Sequence, residues 1–266
     1  MPELLQKRKY DMAFNFVDTV KGSDSMSATI PGVLELLDIP YTGSGMLGIS
    51  LSTNKFLMDN LLDASGIPTA RHHLFNSASE YIPTDLRYPL ISKLNETHGS
   101  IEISDLAISQ NEQQLRERLR YLITTYKEPV LVEEFIAGRE LSALYFESKV
   151  RKVYIVEKVF SSENPNEIMS FDLKWISEDE TIHTHSKYND DQLIELVKKA
   201  AQVAHISDYG RFDIRLDISG RYHFIDTNPN PFFNPLSEGS LMTSILDIHG
   251  ISFEETLKRI IANTLL

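Results

Sequence analysis

The chain has 266 residues, of which 42% are hydrophobic and 24% charged; 38 acidic against 26 basic side chains give a formal net charge of −12. That length can bury the core of one large or two small domains, while the acidic balance argues against nonspecific nucleic-acid binding and against docking on anionic membranes. Cysteine is absent, which excludes disulfides, thiolate nucleophiles and thiolate zinc sites.

Residues 1–9 carry no apolar signal core, and no apolar run is long enough to span a bilayer, so a cytoplasmic protein is expected. Residues 10–16 read as a short buried strand, followed by a polar loop through Gly22, Ser23 and Asp24. Ile30, Val33, Leu34 and Leu37 recur at helical spacing and predict a helix over 27–37. Residues 39–42 read as extended and Gly43-Ser44-Gly45 as a turn; a second amphipathic helix over 53–65 is stopped by Gly66 and Pro68. This alternation predicts an α/β unit with a parallel sheet.

From about Ala70 the texture changes. A strand is expected at 90–94, a polar turn at 95–100, an extended stretch at 101–103, a helix at 111–125 and a buried strand at 130–132. Residues 141–146 and 150–159 alternate like antiparallel strands, 161–188 read as a long polar loop around Trp175, and helices are expected at 192–204 and 253–264.

Between those last helices lies the stretch with most chemistry. Residues 212–217 and 222–226 read as a β-hairpin turning at Ile218-Ser219-Gly220. Alternation sets Phe212, Ile214 and Leu216 on one face and Arg211, Asp213 and Arg215 on the other. On the return strand it groups His223, Ile225 and Thr227 against Phe224, Asp226 and Asn228. Pairing then brings Asp213, Asp226 and Asn228 together near Arg211, and three hard oxygen donors with one cation suit a magnesium ion carrying phosphates. A solvated sheet face is the plainer explanation of the same alternation.

Several short words fall into one order along the chain. They are Ile39-Pro40-Tyr41-Thr42-Gly43-Ser44-Gly45, Asn54-Lys55, Gly66-Ile67-Pro68-Thr69, Val132-Glu133-Glu134-Phe135 with Gly138-Arg139-Glu140, Gly210-Arg211-Phe212-Asp213, and Asp226-Thr227-Asn228-Pro229. In this order the chain resembles the D-alanine–D-alanine ligases of the ATP-grasp superfamily, from Tyr10 almost to the C-terminus. The resemblance implies an α/β plus α+β chain with an ATP-grasp fold: a shortened N-terminal α/β domain over 1–69, a central subdomain over 70–134 and a C-terminal subdomain over 135–266, the two α+β halves clasping ATP between antiparallel sheets.

It also implies roles. Lys55 and Lys93 match lysines that touch the nucleotide phosphates, with Ser100 a further donor from the covering loop. Glu133 matches a residue at the adenine edge, where the backbone around Phe135 and Ile136 pairs with the base and Phe135 and Ile225 line the slot. Glu140 matches the acid on the ribose hydroxyls. Lys174 matches a lysine of a mobile loop over the γ-phosphate, and Arg211 the group that stabilises the transferring phosphoryl. Asp213, Asp226 and Asn228 match ligands of one or two Mg²⁺ ions, or Mn²⁺ in their place. The implied reaction joins a small-molecule carboxylate to an amine through an acyl phosphate formed from ATP.

Four departures limit what carries over. The family's opening strand, glycine loop and helix are missing, which leaves a substrate wall absent or supplied by a homodimer mate or partner subunit. The loop at 95–100 has one glycine, Gly99. Phe232 replaces a glycine after Pro231, and Phe232 with Phe233 is expected to crowd the acceptor pocket. Asp226 is one methylene shorter than the family's glutamate. The leading expectation is a ligase with substrates other than D-alanine. A genuine D-alanine–D-alanine ligase, a nucleotide-binding subunit without ligase activity and, more weakly, a purely structural acidic interaction protein are the alternatives.

Overall fold

A computed structural model describes residues 10–146, 150–160 and 183–265. The N-terminal part is helical: α1 (Thr29–Leu36), entered through a 3₁₀ turn, α2 (Met46–Thr53) and α3 (Lys55–Ala64). Asn54 caps α3, its side-chain oxygen accepting from the Leu57 amide at 3.1 Å, as expected of an N-cap asparagine. Residues 10–16 form no strand, contrary to expectation. Parallel pairing here is a single bridge, in which Ala13 N–H donates to the Pro40 carbonyl at 2.8 Å and Thr42 N–H to the Ala13 carbonyl at 3.0 Å. Among the described residues there is no parallel sheet.

Both sheets are antiparallel. The first has four strands, ordered β1 (His72–Phe75), β4 (Val130–Glu134), β2 (Leu90–Leu94) and β3 (Ile108–Ser109). α4 (Glu112–Tyr126) lies against it, burying Leu115, Leu119 and Leu122 on Phe75, Leu90, Val130 and Val132. These leucines follow the helical period, and burying each stabilises the subdomain by about 2 kcal/mol. Residues 101–103 are not extended. Ser100 and Glu102 take φ of 60° and 64°, and the Glu102 carboxylate accepts from the hydroxyls of Tyr121 at 3.0 Å and Tyr126 at 2.7 Å. That tertiary tie holds a turn where the alternation predicted a strand.

The second sheet has five strands, ordered β7 (His183–Tyr188), β6 (Lys152–Phe160), β5 (Gly138–Phe146), β8 (Tyr209–Asp217) and β9 (Tyr222–Asn228). α5 (Asp191–Val203) and α3 pack on one part of its apolar side, with Leu193, Val197, Met58 and Leu62 against Phe212, Ile214 and Phe224. α6 (Leu241–Ile248) and α7 (Phe253–Thr264) bury the end formed by Leu144, Phe146, Val156 and Tyr209. Much of the predicted loop at 161–188, with Lys174 and Trp175, lies outside the described residues, and its last stretch is β7. No helix among the described residues is long and apolar enough to cross a membrane.

Candidate active site

The polar face of the β5–β9 sheet is built by register. Asp213 sits opposite Ser142 on β5 and Asp226 on β9, and Glu140 sits opposite Lys158 on β6 and Arg215 on β8. Two charged rows therefore cross the strands two residues apart, on one side of the pleat. In the first row Arg211 grips Asp213 with two parallel hydrogen bonds of 2.9 Å, and Ser142 Oγ donates to Asp213 at 2.9 Å. Burial pushes the Asp213 carboxyl up, but Arg211 and Ser142 outweigh it and hold the group down at about 2. In the second row Lys158 lies 2.5 Å and Arg215 3.0 Å from opposite oxygens of Glu140. Burial opposes ionisation of Glu140 as well, yet the two cations keep its carboxyl below the ordinary range.

The hairpin differs from the simple alternation at one place. Asp213 pairs with Asp226, but the next residue, Ile214, pairs with Phe224, so Ile225 is an extra residue in a β-bulge. Phe224 therefore turns into the core beside Phe212 at 5.8 Å between ring centroids, and does not share a face with Asp226. Downstream of the bulge Asp226 and Asn228 do converge on Asp213. The Asn228 amide lies 3.5 Å from an oxygen of each. The other oxygen, Asp226 Oδ1, is buried with no hydrogen-bond partner.

Across from this face stands the four-stranded sheet. Lys93 on β2 reaches over to donate to the Ile225 carbonyl at 2.9 Å, and its ammonium is 2.5 Å from Glu133 Oε2. Burial works against the Lys93 charge, but Glu133 outweighs it and the pKa rises. Lys55, in the first turn of α3, donates to the Thr97 carbonyl at 2.7 Å. Burial lowers its pKa, with Asp226 acting in the opposite sense. Burial also opposes ionisation of Asp226, where Lys55 is the strongest influence keeping the carboxyl low. The sequence reading missed Asp59, one turn beyond Lys55 and 6% exposed. Its i, i+4 spacing from Lys55 was the available signal. Burial and then Glu133 push its carboxyl well up. Asp59 shares with Ser52, Lys55, Ile225 and Asp226 a small cavity between α3 and β9.

The remaining expected residues are placed as follows. Glu133 is 1% exposed, with Oε1 lacking a hydrogen-bond partner. Phe135 follows β4; its amide donates to the Pro89 carbonyl at 2.9 Å and its ring lies under the Arg215 guanidinium. Ile136 connects it to β5, and Ser100 ends the loop after Gly99. The two phenylalanines do not crowd one pocket together: Phe233 packs on Phe253 in the core at 4.8 Å, while Phe232 is 59% exposed. The turn at Gly43 docks the N-terminal helices on this site. Ser44 N–H donates to Asn230 Oδ1 at 2.9 Å and Ser44 Oγ to the Pro229 carbonyl at 3.1 Å. A Cβ on Gly43, whose φ is +86°, would come within 2.3 Å of the Asn230 side chain, so only glycine allows this approach.

These groups fit a phosphate-bearing nucleotide with a hard cation. The hairpin alone falls short of a metal cage, since among the described residues no cluster of three or more His, Cys, Asp or Glu side chains is placed to hold a metal. Two carboxylates and an amide suit a cation whose other ligands are phosphate oxygens and water, and the orphaned Asp226 Oδ1 is the acceptor such a cation would satisfy. A cavity of about 430 Å³ between α2, the end of α5 and the loop before β8 contains none of these residues.

The model of the family described as "D-ala D-ala ligase C-terminus" matches residues 61–262. The chain belongs to this family. Its relatives include the D-alanine–D-alanine ligases of Pseudomonas entomophila, 27% identical over 98% of this chain and 78% of the relative, and of Halorhodospira halophila, 28% identical over 97% and 81%. An uncharacterised protein of Sinorhizobium fredii is 26% identical over 87% of this chain and 68% of its own length. In three dimensions the chain superposes on a D-alanine–D-alanine ligase of Bacillus anthracis with a TM-score of 0.75, at 21% identity over 99% of this chain and 83% of that one. A structure of the Bacillus anthracis enzyme complexed with ATP matches with a TM-score of 0.69, at 21% identity over 89% and 74%. The fold is thus the ATP-grasp fold of these ligases, with its two antiparallel sheets.

Proposed function

We propose that this chain is an ATP-dependent carboxylate–amine ligase that works through an acyl phosphate, on substrates that the family membership leaves open. The observation carrying the proposal is the convergence of Arg211, Asp213, Asp226 and Asn228 on one sheet face opposite Lys93 of the other sheet, with Lys55 bordering Asp226. Phosphoryl transfer asks for positioning and charge neutralisation more than for covalent participation by the protein, and these groups supply both.

The hydrogen-bond inventory supports the roles. An ammonium has three donors; Lys93 spends one on Ile225 and one on Glu133, leaving one for a phosphate oxygen. Glu133 Oε1 is a buried acceptor in want of a donor, which an adenine amino group provides. With the Phe135 amide given to Pro89, the hinge donor to the base falls to Ile136, while Phe135 and Ile225 wall the slot. Each Glu140 oxygen has a second lone pair, so a ribose hydroxyl can add to Lys158 and Arg215 without displacing them. Asp213, Asp226 and Asn228 would hold Mg²⁺, which would supply neutralisation of the phosphate charge. A carboxylate oxygen of the first substrate bonds to the γ-phosphorus as the bond to the ADP oxygen breaks. The amine nitrogen of the second then bonds to the acyl carbon, phosphate leaves, and the nitrogen gives up a proton. Arg211 donates to the transferring phosphoryl oxygens, a contribution of about 3 kcal/mol for a well-placed donor. Lys174 and Ser100 are assigned from the same family positions, as lid and loop donors, and a division near residues 69 and 134 goes with this reading.

The test is phosphate and ADP release from Mg·ATP against a panel of amino and hydroxy acids that includes D-alanine. Turnover with one pair identifies the substrates. Tight ATP binding with no turnover across the panel would replace the ligase by a nucleotide-binding subunit.

A further inference from the structure

Ser52 in the last turn of α2, Asp59 in α3 and Asp226 on β9 face one another across the small cavity that Lys55 also borders, with Met58 and Ile225 as its apolar walls. The Ser52 side chain belongs to a residue 1% exposed, and its hydroxyl has no hydrogen-bond partner, although a helical serine can turn back to the carbonyl four residues before it. Asp226 Oδ1 is a second buried atom without a partner. Among the described residues no hydrogen bond reaches the Asp59 carboxyl group either. Three polar side chains from three different elements therefore surround one space with their hydrogen bonds unmade, and buried polar groups are rarely left so.

The cavity leaves about 10 Å³ for the centre of a water molecule, room for one and not for two. Its polar groups are two donors and two acceptors: the Ser52 hydroxyl and the Lys55 ammonium can give protons, and Asp59 and Asp226 can receive them. A water molecule offers the complementary set, two lone pairs and two O–H bonds. A cation at this point would meet the Lys55 ammonium and an anion would meet two carboxyl groups, so a neutral guest is favoured. We propose that the cavity binds one water molecule, which accepts from Ser52 and Lys55 and donates to Asp59 and Asp226, and that Ser52 and Asp59 are positioning residues acting through it. The water stands on the cavity alone, whereas its part in nucleotide binding rests on the reading of the site given above. Of the three Lys55 donors, one goes to the Thr97 carbonyl at 2.7 Å and one to the water, which directs the third to a phosphate oxygen. A carboxylate has about four lone-pair positions, so the water orients Asp226 and leaves the others for a cation. Asp59 offers an acceptor whether its carboxyl group is ionised or neutral, so its role does not depend on its charge.

Two measurements on the intact protein separate these parts. A crystal structure at a resolution that shows bound water should have a spherical peak within hydrogen-bond distance of Ser52 Oγ and the Asp59 carboxyl group. A flat map at that point would overturn the proposal whatever the nucleotide does. Binding of Mn²⁺·ATP, followed by the electron paramagnetic resonance of the Mn²⁺, reads the positioning without turnover. By charge alone, removing a carboxylate beside the phosphates should tighten ATP equally in Asp59→Asn and Asp59→Leu, two replacements of similar size. With the water present they diverge: Asp59→Asn keeps an acceptor and holds or improves the affinity, whereas Asp59→Leu weakens it by about fivefold, the worth of a lost hydrogen bond. Ser52→Ala removes a donor and should weaken it by about threefold with an unchanged melting curve, and it carries the test should Asp59→Leu not fold. Equal tightening in both Asp59 variants, or no loss in Ser52→Ala, would overturn the positioning role. A wild-type protein that binds no Mn²⁺·ATP would remove the nucleotide reading and the positioning role with it, while the crystallographic peak still decides the water.

Discussion

The two walls of the site are charged in different ways. On the five-stranded sheet the cations and carboxylates are matched among themselves: Arg211 with Asp213, and Lys158 and Arg215 with Glu140. On the opposing side the matching is incomplete. Lys93 has Glu133, but the described partner of the Lys55 ammonium is a carbonyl, and Glu133 Oε1 stays unpartnered. A buried row that satisfies itself is rigid and holds geometry, whereas an ammonium hydrogen-bonded to a carbonyl, with Asp226, Glu128 and Asp59 acting on it through their charge, gains more when an anion arrives. The five-stranded sheet is therefore the frame, and the wall made by α3 and β2 is where a ligand's charge changes the energy most.

Breaking the frame should do the greatest damage. Asp213→Ala leaves Arg211, 9% exposed, without its carboxylate, so stability should fall by about 3 kcal/mol in denaturant titration, and ADP formation should be lost. A variant that kept both turnover and stability would show that the two walls are not distinct in this way. Lys93→Ala addresses the other wall and is expected to weaken ATP by roughly tenfold to a hundredfold, read by calorimetry, from loss of a charged donor to phosphate. Unchanged ATP affinity would restrict Lys93 to bridging the sheets.

The smallest effect is in acid. Asp213 titrates near 3.8 when unperturbed and at about 2 when folded, so its contribution to stability is complete above about pH 4 and lost as pH falls toward 2. Urea midpoints measured between those limits should drop with falling pH more steeply in the wild type than in Asp213→Asn. Parallel slopes would mean that Arg211 does not hold the carboxylate down.

The hairpin was legible in the residues because a strand exposes its alternation directly: Arg211, Asp213 and Arg215 share a face as expected. The bulge at Ile225 was not. An extra residue changes no composition and leaves the words intact, yet it sends Phe224 into the core and sets the Ile225 carbonyl toward Lys93. α2 was likewise missed. Met46 to Thr53 includes a glycine, an isoleucine, two serines and a threonine, weak helix formers. Gly48 is nonetheless required there, since a Cβ would come within 2.3 Å of the His205 carbonyl.

Local periodicity and the order of short words were enough to specify the antiparallel hairpin with its charged face, most of the amphipathic helices and the family. Both signals are carried along the chain itself, through the two-residue repeat of a strand and the 3.6-residue repeat of a helix. The pairing of those charges, the burial of Asp59, the hydrogen bond from the His98 amide to Asp24 and the facing of Lys93 onto β9 were decided only by tertiary structure. Each depends on the distance and dielectric between groups far apart in sequence, which no local pattern encodes.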